Sequence, residues 1–188
     1  MELNKIINEI NIVQCALIRI NHVACLVIGF EDSKKYSGDN LHLAFIFHPN
    51  INKINNFLDV FKLFKNKKNV VARIHSECLL GDAFNSTICD CRKQLQYAIR
   101  IMSRKKEGII IYLRQEGRGI GLRAKLSTLA LQEGFVNGRK QHKKYTPDEA
   151  NIALNYPVDA RDYEIASRFL KEFSINTIKL ITGNPDKI

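Results

Sequence analysis

No apolar run in this 188-residue chain approaches the roughly 20 residues that a membrane-crossing helix needs. The amino-terminal MELNKIINEI is too polar for a signal peptide, so the expectation is a cytoplasmic protein with no membrane partner. Ten glycines and four prolines exclude a collagen-like chain, and 45% hydrophobic residues exclude disorder. The whole chain, residues 1–188, is therefore expected to bury one core as a single domain. Acidic residues are the scarcer charge: 19 Asp and Glu stand against 29 Lys and Arg, a surplus that suits polyanionic partners such as nucleic acid, acidic lipid or nucleotide phosphates. The surplus is not gathered in one tail. It recurs at Lys62 to Lys68, Arg100 to Lys106 and Arg139 to Lys144, as solvated helix ends and loops do. Cysteine comes as an odd five, which argues against a disulfide framework.

What is present reads as alternating structure. Asn11 to Phe30 is apolar and β-branched, broken at Asn21-His22, and predicts a two-stranded hairpin; Leu41 to Phe47 predicts a third strand. Ile51, Ile54, Phe57, Leu58, Phe61 and Phe64 recur at spacings that predict a short amphipathic helix. Beyond it the chain predicts strand at Val70 to His75, helix at Cys91 to Arg104, strand at Ile109 to Leu113 and helix at Leu122 to Glu133. A helix over Arg161 to Phe173 and a strand over Thr177 to Thr182 follow, and Gly134 to Tyr145 reads as an exposed polar loop. No internal repeat is visible. The fold class expected is α/β, or α+β layered: a mixed sheet flanked by helices, with an antiparallel amino-terminal portion.

Three motifs carry chemistry. Cys78, Cys89 and Cys91 lie within one short stretch, without a fourth cysteine nearby. Three thiolates are the ligand count of a catalytic zinc site, whose fourth position is left to water. Were His75 to complete the set, the site would be closed and structural; the paired Cys-x-x-Cys knuckles of zinc ribbons are missing. YLRQEGRGIGL, Tyr112 to Leu122, joins a predicted strand to a predicted helix through Gly117, Gly119 and Gly121, a junction that can offer N–H groups to phosphate although it lacks the dinucleotide G-x-G-x-x-G spacing. Asp159, after Pro157 and before an apolar helical pattern, is expected to cap the helix amino terminus, with Arg161 in its first turn.

Together these residues resemble the GTP cyclohydrolase II family, which opens the imidazole ring of GTP at the start of riboflavin synthesis. The likeness runs from Arg73 to Gln132 and resumes from Glu149 to Lys187, strongest in RIHSEC, GDAFNSTICDC, YLRQEGRGIGL, DARDY and TGNPDK. The resemblance implies one Zn²⁺ per chain on Cys78, Cys89 and Cys91, and nucleotide contacts at Arg73, Ile74, His75, Ser76, Glu77, Gln94, Glu116, Gly117, Arg118, Thr182 and Lys187. It also implies Asp159 as proton acceptor, Arg161 as nucleophile towards the α-phosphate, Mg²⁺ with the triphosphate, and a homodimer that binds GTP and no nucleic acid. Zinc would lower the pKa of its bound water, which attacks carbon 8 of the purine. Because guanidinium is essentially always protonated, a simpler role for Arg161 is to stabilise phosphate charge while water attacks.

The sequence departs from the family at named places. The resemblance implies release of pyrophosphate and formate, giving a diaminopyrimidinone ribosylamino phosphate; Leu129 stands where the family has a Tyr, and this opens an alternative product, a formamidopyrimidine nucleotide with formate retained. Pro147 replaces a nucleotide-contacting Thr, with Thr146 adjacent, and Gly183 replaces an Asn. An insertion of about nine residues falls in the basic loop Phe135 to Tyr145. Two rival readings stand beside the hydrolase: a nucleotide-binding homologue without turnover, and, from another class, a zinc-stabilised basic module that binds nucleic acid.

Overall fold

The computed structural model describes residues 5–7, 10–33, 41–65 and 67–183; the expected contact at Lys187 lies outside them. Its centre is one mixed sheet of seven strands. An antiparallel meander, β1 (Lys5–Ile7), β2 (Ile10–Ile20), β3 (Val23–Asp32) and β4 (His42–Phe47), forms one half. The turn between β2 and β3 is Asn21-His22, both residues at positive φ (48° and 65°), which matches the twist a two-residue hairpin requires.

The other half is parallel. β5 (Val70–Ser76) pairs with β6 (Gly108–Leu113) on one side and with the last strand, Ile178–Leu180, on the other. β6 also pairs antiparallel with β4 and so joins the halves. Parallel neighbours need long crossovers. The one between β5 and β6 holds α1 (Leu79–Asp82) and α2 (Cys91–Lys105). The path from β6 to the last strand holds α3 (Leu122–Gln132), a small hairpin of β7 (Phe135–Val136) and β8 (Arg139–Lys140), α4 (Pro147–Ala153) and α5 (Glu164–Glu172). The last strand is β9.

Strand period two divides the core between the faces. Ile109, Ile111 and Leu113 of β6 join Ile28, Phe30, Ile46 and the α5 residues Ile165, Phe169 and Leu170. Ile110, between them, joins Ala98 and Met102 of α2 on the other face. Phe169 stacks on Phe30 and Phe173 with ring centroids 4.4 and 4.6 Å away, and each such buried ring contributes about 1.5–3 kcal/mol.

Three expectations are corrected in detail, and one element was not foreseen. Ile51 to Phe64 forms two 3-10 turns, Ile51–Lys53 and Phe57–Lys62, instead of one α-helix. Ile51 and Ile54, like Phe61 and Phe64, are three apart, the 3-10 period, and Asn56 caps the second turn by accepting from Asp59 N. The segment after Gly134 is exposed but not structureless: Asn137-Gly138, at φ 50° and 72°, turns the β7–β8 hairpin. α4 was not anticipated, although Thr146 and Glu149 form a reciprocal capping box with Pro147 at the first position. Asp159 does not cap α5. Tyr163 holds the cap position and Asp162 Oδ1 accepts from Glu164 N at 2.8 Å, so Arg161 precedes the helix.

Candidate functional site

Because β5 and β6 run parallel, the segments leaving their carboxyl ends emerge at one edge of the sheet, where ligands of α/β folds bind. Cys78 follows β5 by two residues and is followed at once by α1; Cys91 opens α2, with Cys89 two residues before it. All three Sγ atoms lie within 4.8 Å of one another, Cys78 and Cys89 at 3.5 Å. Zinc–sulfur bonds of about 2.3 Å in tetrahedral geometry separate sulfurs by about 3.8 Å, so the cluster has the size as well as the donors of a zinc site. Gly81 makes the convergence possible: a Cβ there would stand 2.9 Å from Cys89 Sγ and 3.0 Å from Cys78 Sγ. Hydrogen bonding from Cys91 outweighs burial and, with Lys125, brings the Cys78 thiol down to about 5, while Cys91, facing that thiolate, is pushed up.

A buried polar strut lies beneath the cluster. Arg73, 4% exposed, donates to Gln94 Oε1 at 2.6 Å, to Ile181 O at 3.1 Å and to His75 Nδ1 at 3.2 Å. Arginine has no acceptor, so His75 Nδ1 must accept, and the ring proton sits on Nε2, which donates to Asp82 at 3.1 Å. Asp82 Oδ2 also accepts from Tyr112 Oη at 2.8 Å and from Cys78 N at 3.1 Å. Burial works against the Asp82 charge, yet donation from His75, Tyr112 and Cys78 holds its carboxyl below the usual range. At the far end, Gln94 Nε2 donates to Asp90, between Cys89 and Cys91, at 2.8 Å. The strut thus runs from one side of the cluster to the other.

Glu116 and Lys125 close the third side. Glu116 Oε2 accepts from Leu79 N at 2.6 Å and Oε1 from Gly117 N at 2.8 Å. Lys125 Nζ lies 2.7 Å from Glu116 Oε1 and 3.1 Å from Cys78 Sγ. Burial opposes the ammonium, but Glu116 and Cys78 together raise its pKa and keep it charged. The glycine turn is stitched to the Asp159 segment, for Ala160 N donates to Arg118 O at 2.9 Å and Arg118 Nη1 to Val158 O at 3.2 Å. Gly119, at φ 86°, lets the two backbones touch; a Cβ there would sit 2.7 Å from Ala160 O. Asp159 and Arg161 form a forked pair, with Arg161 Nε 2.9 Å from Oδ1 and 3.0 Å from Oδ2, and this pairing holds the Asp159 carboxyl below its usual range.

A cavity of about 320 Å³ opens on the cluster, and Ser76, Glu77, Glu116, Gly117, Arg118, Lys125, Leu129, Pro147 and Arg161 line it beside the three cysteines. A larger one, about 910 Å³, lies across Glu77 and Glu116 between His42, Arg114, Asp162 and Ile165; among the described residues no sulfur lines it. Of the expected site residues, Cys78, Cys89, Cys91, Ser76, Glu77, Glu116, Gly117, Arg118 and Arg161 therefore meet at one cavity. Asp159 adjoins through Arg161. Arg73, His75 and Gln94 belong to the strut below it, and Ile74 points the other way into the α5 core, as its odd register on β5 requires. Thr182 lies past β9, beside the Ile181 carbonyl that Arg73 holds. His75 is outside the sulfur group, so among the described residues the cluster keeps the open three-ligand form. Sequence reasoning missed Asp82, Tyr112 and Lys125. Lys125, Thr128, Leu129 and Gln132 face the cavity at helical spacing, a signal that the α3 sequence carried.

A family model described as GTP cyclohydrolase II matches residues 16–188. The chain is 48% identical over 119 residues to "GTP cyclohydrolase-2" of Neisseria gonorrhoeae, covering 63% of this chain and 56% of that protein. It is 45% identical over 119 residues to the protein of the same name in Acinetobacter baumannii, covering 63% and 55%. Against "Riboflavin biosynthesis protein RibBA" of Endomicrobium trichonymphae it is 41% identical over 143 residues, covering 76% and 33%. The matched region thus spans little more than half of these relatives, or less. No described helix is long and apolar enough to cross a membrane.

Proposed function

Since this chain belongs to the GTP cyclohydrolase II family, we propose that it opens the imidazole ring of GTP and releases pyrophosphate and formate, giving a diaminopyrimidinone ribosylamino phosphate as a step of riboflavin synthesis. The observation that carries the proposal is the sharing of one cavity by three convergent cysteine sulfurs and the two guanidinium-bearing residues Arg118 and Arg161. Zinc held by Cys78, Cys89 and Cys91 would supply a water activated near neutral pH. The thiolates and Lys125 define one wall, against which the purine end of the nucleotide is placed. Arg118 and Arg161 face the same space and offer charge to phosphate oxygens. Asp159, already ionised and forked onto Arg161, aims that guanidinium, and the pair acts by stabilising phosphate charge as water attacks. Ser76, Glu77, Glu116 and Gly117 border the nucleotide, and Arg73, His75 and Gln94 support them from below. Thr182 and Lys187 are assigned to the nucleotide, Mg²⁺ to the triphosphate, and the working form is a cytoplasmic homodimer that binds no nucleic acid.

A second reading concerns the product. Leu129 lines the cavity beside the cysteines and brings no hydroxyl to it. An apolar wall cannot orient a proton for the second hydrolysis, and this favours retention of the formyl group as a formamidopyrimidine nucleotide. Zinc-loaded protein incubated with GTP and Mg²⁺ tests both readings when formate, pyrophosphate and the nucleotide's ultraviolet spectrum are followed together. Pyrophosphate with formate is the result expected on the first reading, and a spectral change with pyrophosphate and no formate the result expected on the second. Stoichiometric formate removes the second reading and leaves the first, whereas an unchanged spectrum removes both in favour of a nucleotide-binding homologue.

A further inference from the structure

Lys125 has only 16% of its side chain exposed, and a buried ammonium is costly unless its partners compensate. Both partners belong to the site. One is the sulfur of a metal-binding cysteine at 3.1 Å, the other the Glu116 carboxylate at 2.7 Å. The remaining oxygen of Glu116 holds the N–H of Leu79, the residue after Cys78, so the path from Cys78 Sγ through Lys125 and Glu116 returns to the Cys78 loop. The glycine turn is shaped to admit the lysine stem, because a Cβ at Gly117 would stand 2.8 Å from Lys125 Cβ.

Electrostatics gives this loop of contacts a purpose. Three thiolates within 4.8 Å repel one another, and bound to a dication they still carry one excess negative charge. Thiolates donate charge strongly to a metal. A cation hydrogen-bonded to one of them draws part of that charge back and fixes where the sulfur lone pair points. Resting on the zinc reading above, we propose that Lys125 is a positioning residue of the metal centre: its ammonium orients and moderates the Cys78 thiolate and, through Glu116, sets the glycine turn against the metal.

The test compares wild type, Lys125→Met and Lys125→Arg, each loaded with zinc and, separately, with cobalt as a spectroscopic probe. Lys125→Met is expected to fold with wild-type circular dichroism and to bind zinc about 10- to 100-fold more weakly in chelator competition. Its sulfur-to-cobalt charge-transfer band is expected at longer wavelength, because a thiolate that loses a hydrogen bond holds its electrons less tightly. Lys125→Arg, which keeps the charge, should return both readings most of the way to wild type. A merely structural strut would not move the band. Unchanged zinc affinity and band position in Lys125→Met overturn the proposal while leaving the metal centre standing. If wild type itself takes up no zinc, the metal reading falls first. Should Lys125→Met not fold, Lys125→Leu, which likewise removes the donor and the charge, carries the same comparison; a wild-type band there overturns the proposal.

Discussion

The two halves of the sheet treat buried polarity differently. In the antiparallel meander, inward positions are apolar, with Ile10, Ile12, Ile28, Phe30, Ala44 and Ile46 nearly or fully buried, and polar groups pair at the margin, as Asn11 does with Glu31 and Asp32 with Arg168. In the parallel half, β5 itself carries Arg73 and His75 into the interior, and Glu116, Thr128 and Asn151 are buried in the segments that follow β6. Buried polar groups are mostly hydrogen-bonded, and apart from Arg73 Nε, which has no partner among the described residues, the bonds these side chains make limit what the neighbouring loops can do. The parallel strands thus spend packing on geometry, because their carboxyl ends converge where the cysteines and the glycine turn must be held. Both halves share one apolar core on the α5 face, where Ile74, Ile109 and Ile111 meet Ile28, Phe30 and Ile46.

The comparison is most sharply tested by damage to one half that spares the other. Cys89→Ser should abolish both zinc retention and turnover, read by metal analysis and GTP consumption, with circular dichroism close to that of metal-free wild type. Stoichiometric zinc in that variant would refute the ligand assignment. Phe169→Ala acts on the core that α5 forms with the meander, on the face of the sheet away from the Arg73–His75 strut. It removes a ring packed between Phe30 and Phe173, and about 3–5 kcal/mol of stability should go with it in urea unfolding, while the folded protein still binds one zinc. Loss of metal from folded Phe169→Ala would join what the two halves keep apart.

What the sequence made legible follows the same division. The β2–β3 hairpin was readable because a β-branched run is broken by two residues, and the α2 boundary because Cys91 and Arg104 bracket a helical pattern. Cys78, Cys89 and Cys91 were readable because zinc chemistry needs that residue type at short spacing. The strut was not. Arg73, Ile74 and His75 are adjacent in sequence, yet the pleat sends Ile74 to the α5 core and its neighbours to the site. Asp82 was not legible because its partners His75 and Tyr112 are supplied by two parallel strands, and no local pattern announces that pairing. The cap expected at Asp159 failed for a local reason. Its carboxylate accepts from Arg161 N at 3.0 Å and from the Arg161 side chain, and is thereby unavailable to a helix that begins five residues later.

A smaller effect probes the seam between the halves. His42 opens β4, and its Nδ1 accepts from Arg114 N, in the turn after β6, at 3.0 Å. Burial, and then the Arg114 charge, pushes its pKa down to about 4 from 6.5, with Asp32 pulling weakly the other way. Protonation would also turn the accepting nitrogen into a donor facing an N–H. Between pH 6.5 and 4 the unfolded chain therefore binds a proton at this position that the folded chain refuses. The contribution of neutral His42 is fully present above pH 6.5 and is lost as pH falls towards 4. Allowing for its partial exposure, the loss amounts to about 2 kcal/mol. His42→Gln keeps an acceptor but does not titrate, so in metal-free protein its urea-derived stability should fall less than that of wild type between pH 6.5 and 4. Equal falls in the two proteins would remove His42 as the source of acid sensitivity in this range, because Asp82 and Asp159, both below their usual range, lose their partners only in stronger acid.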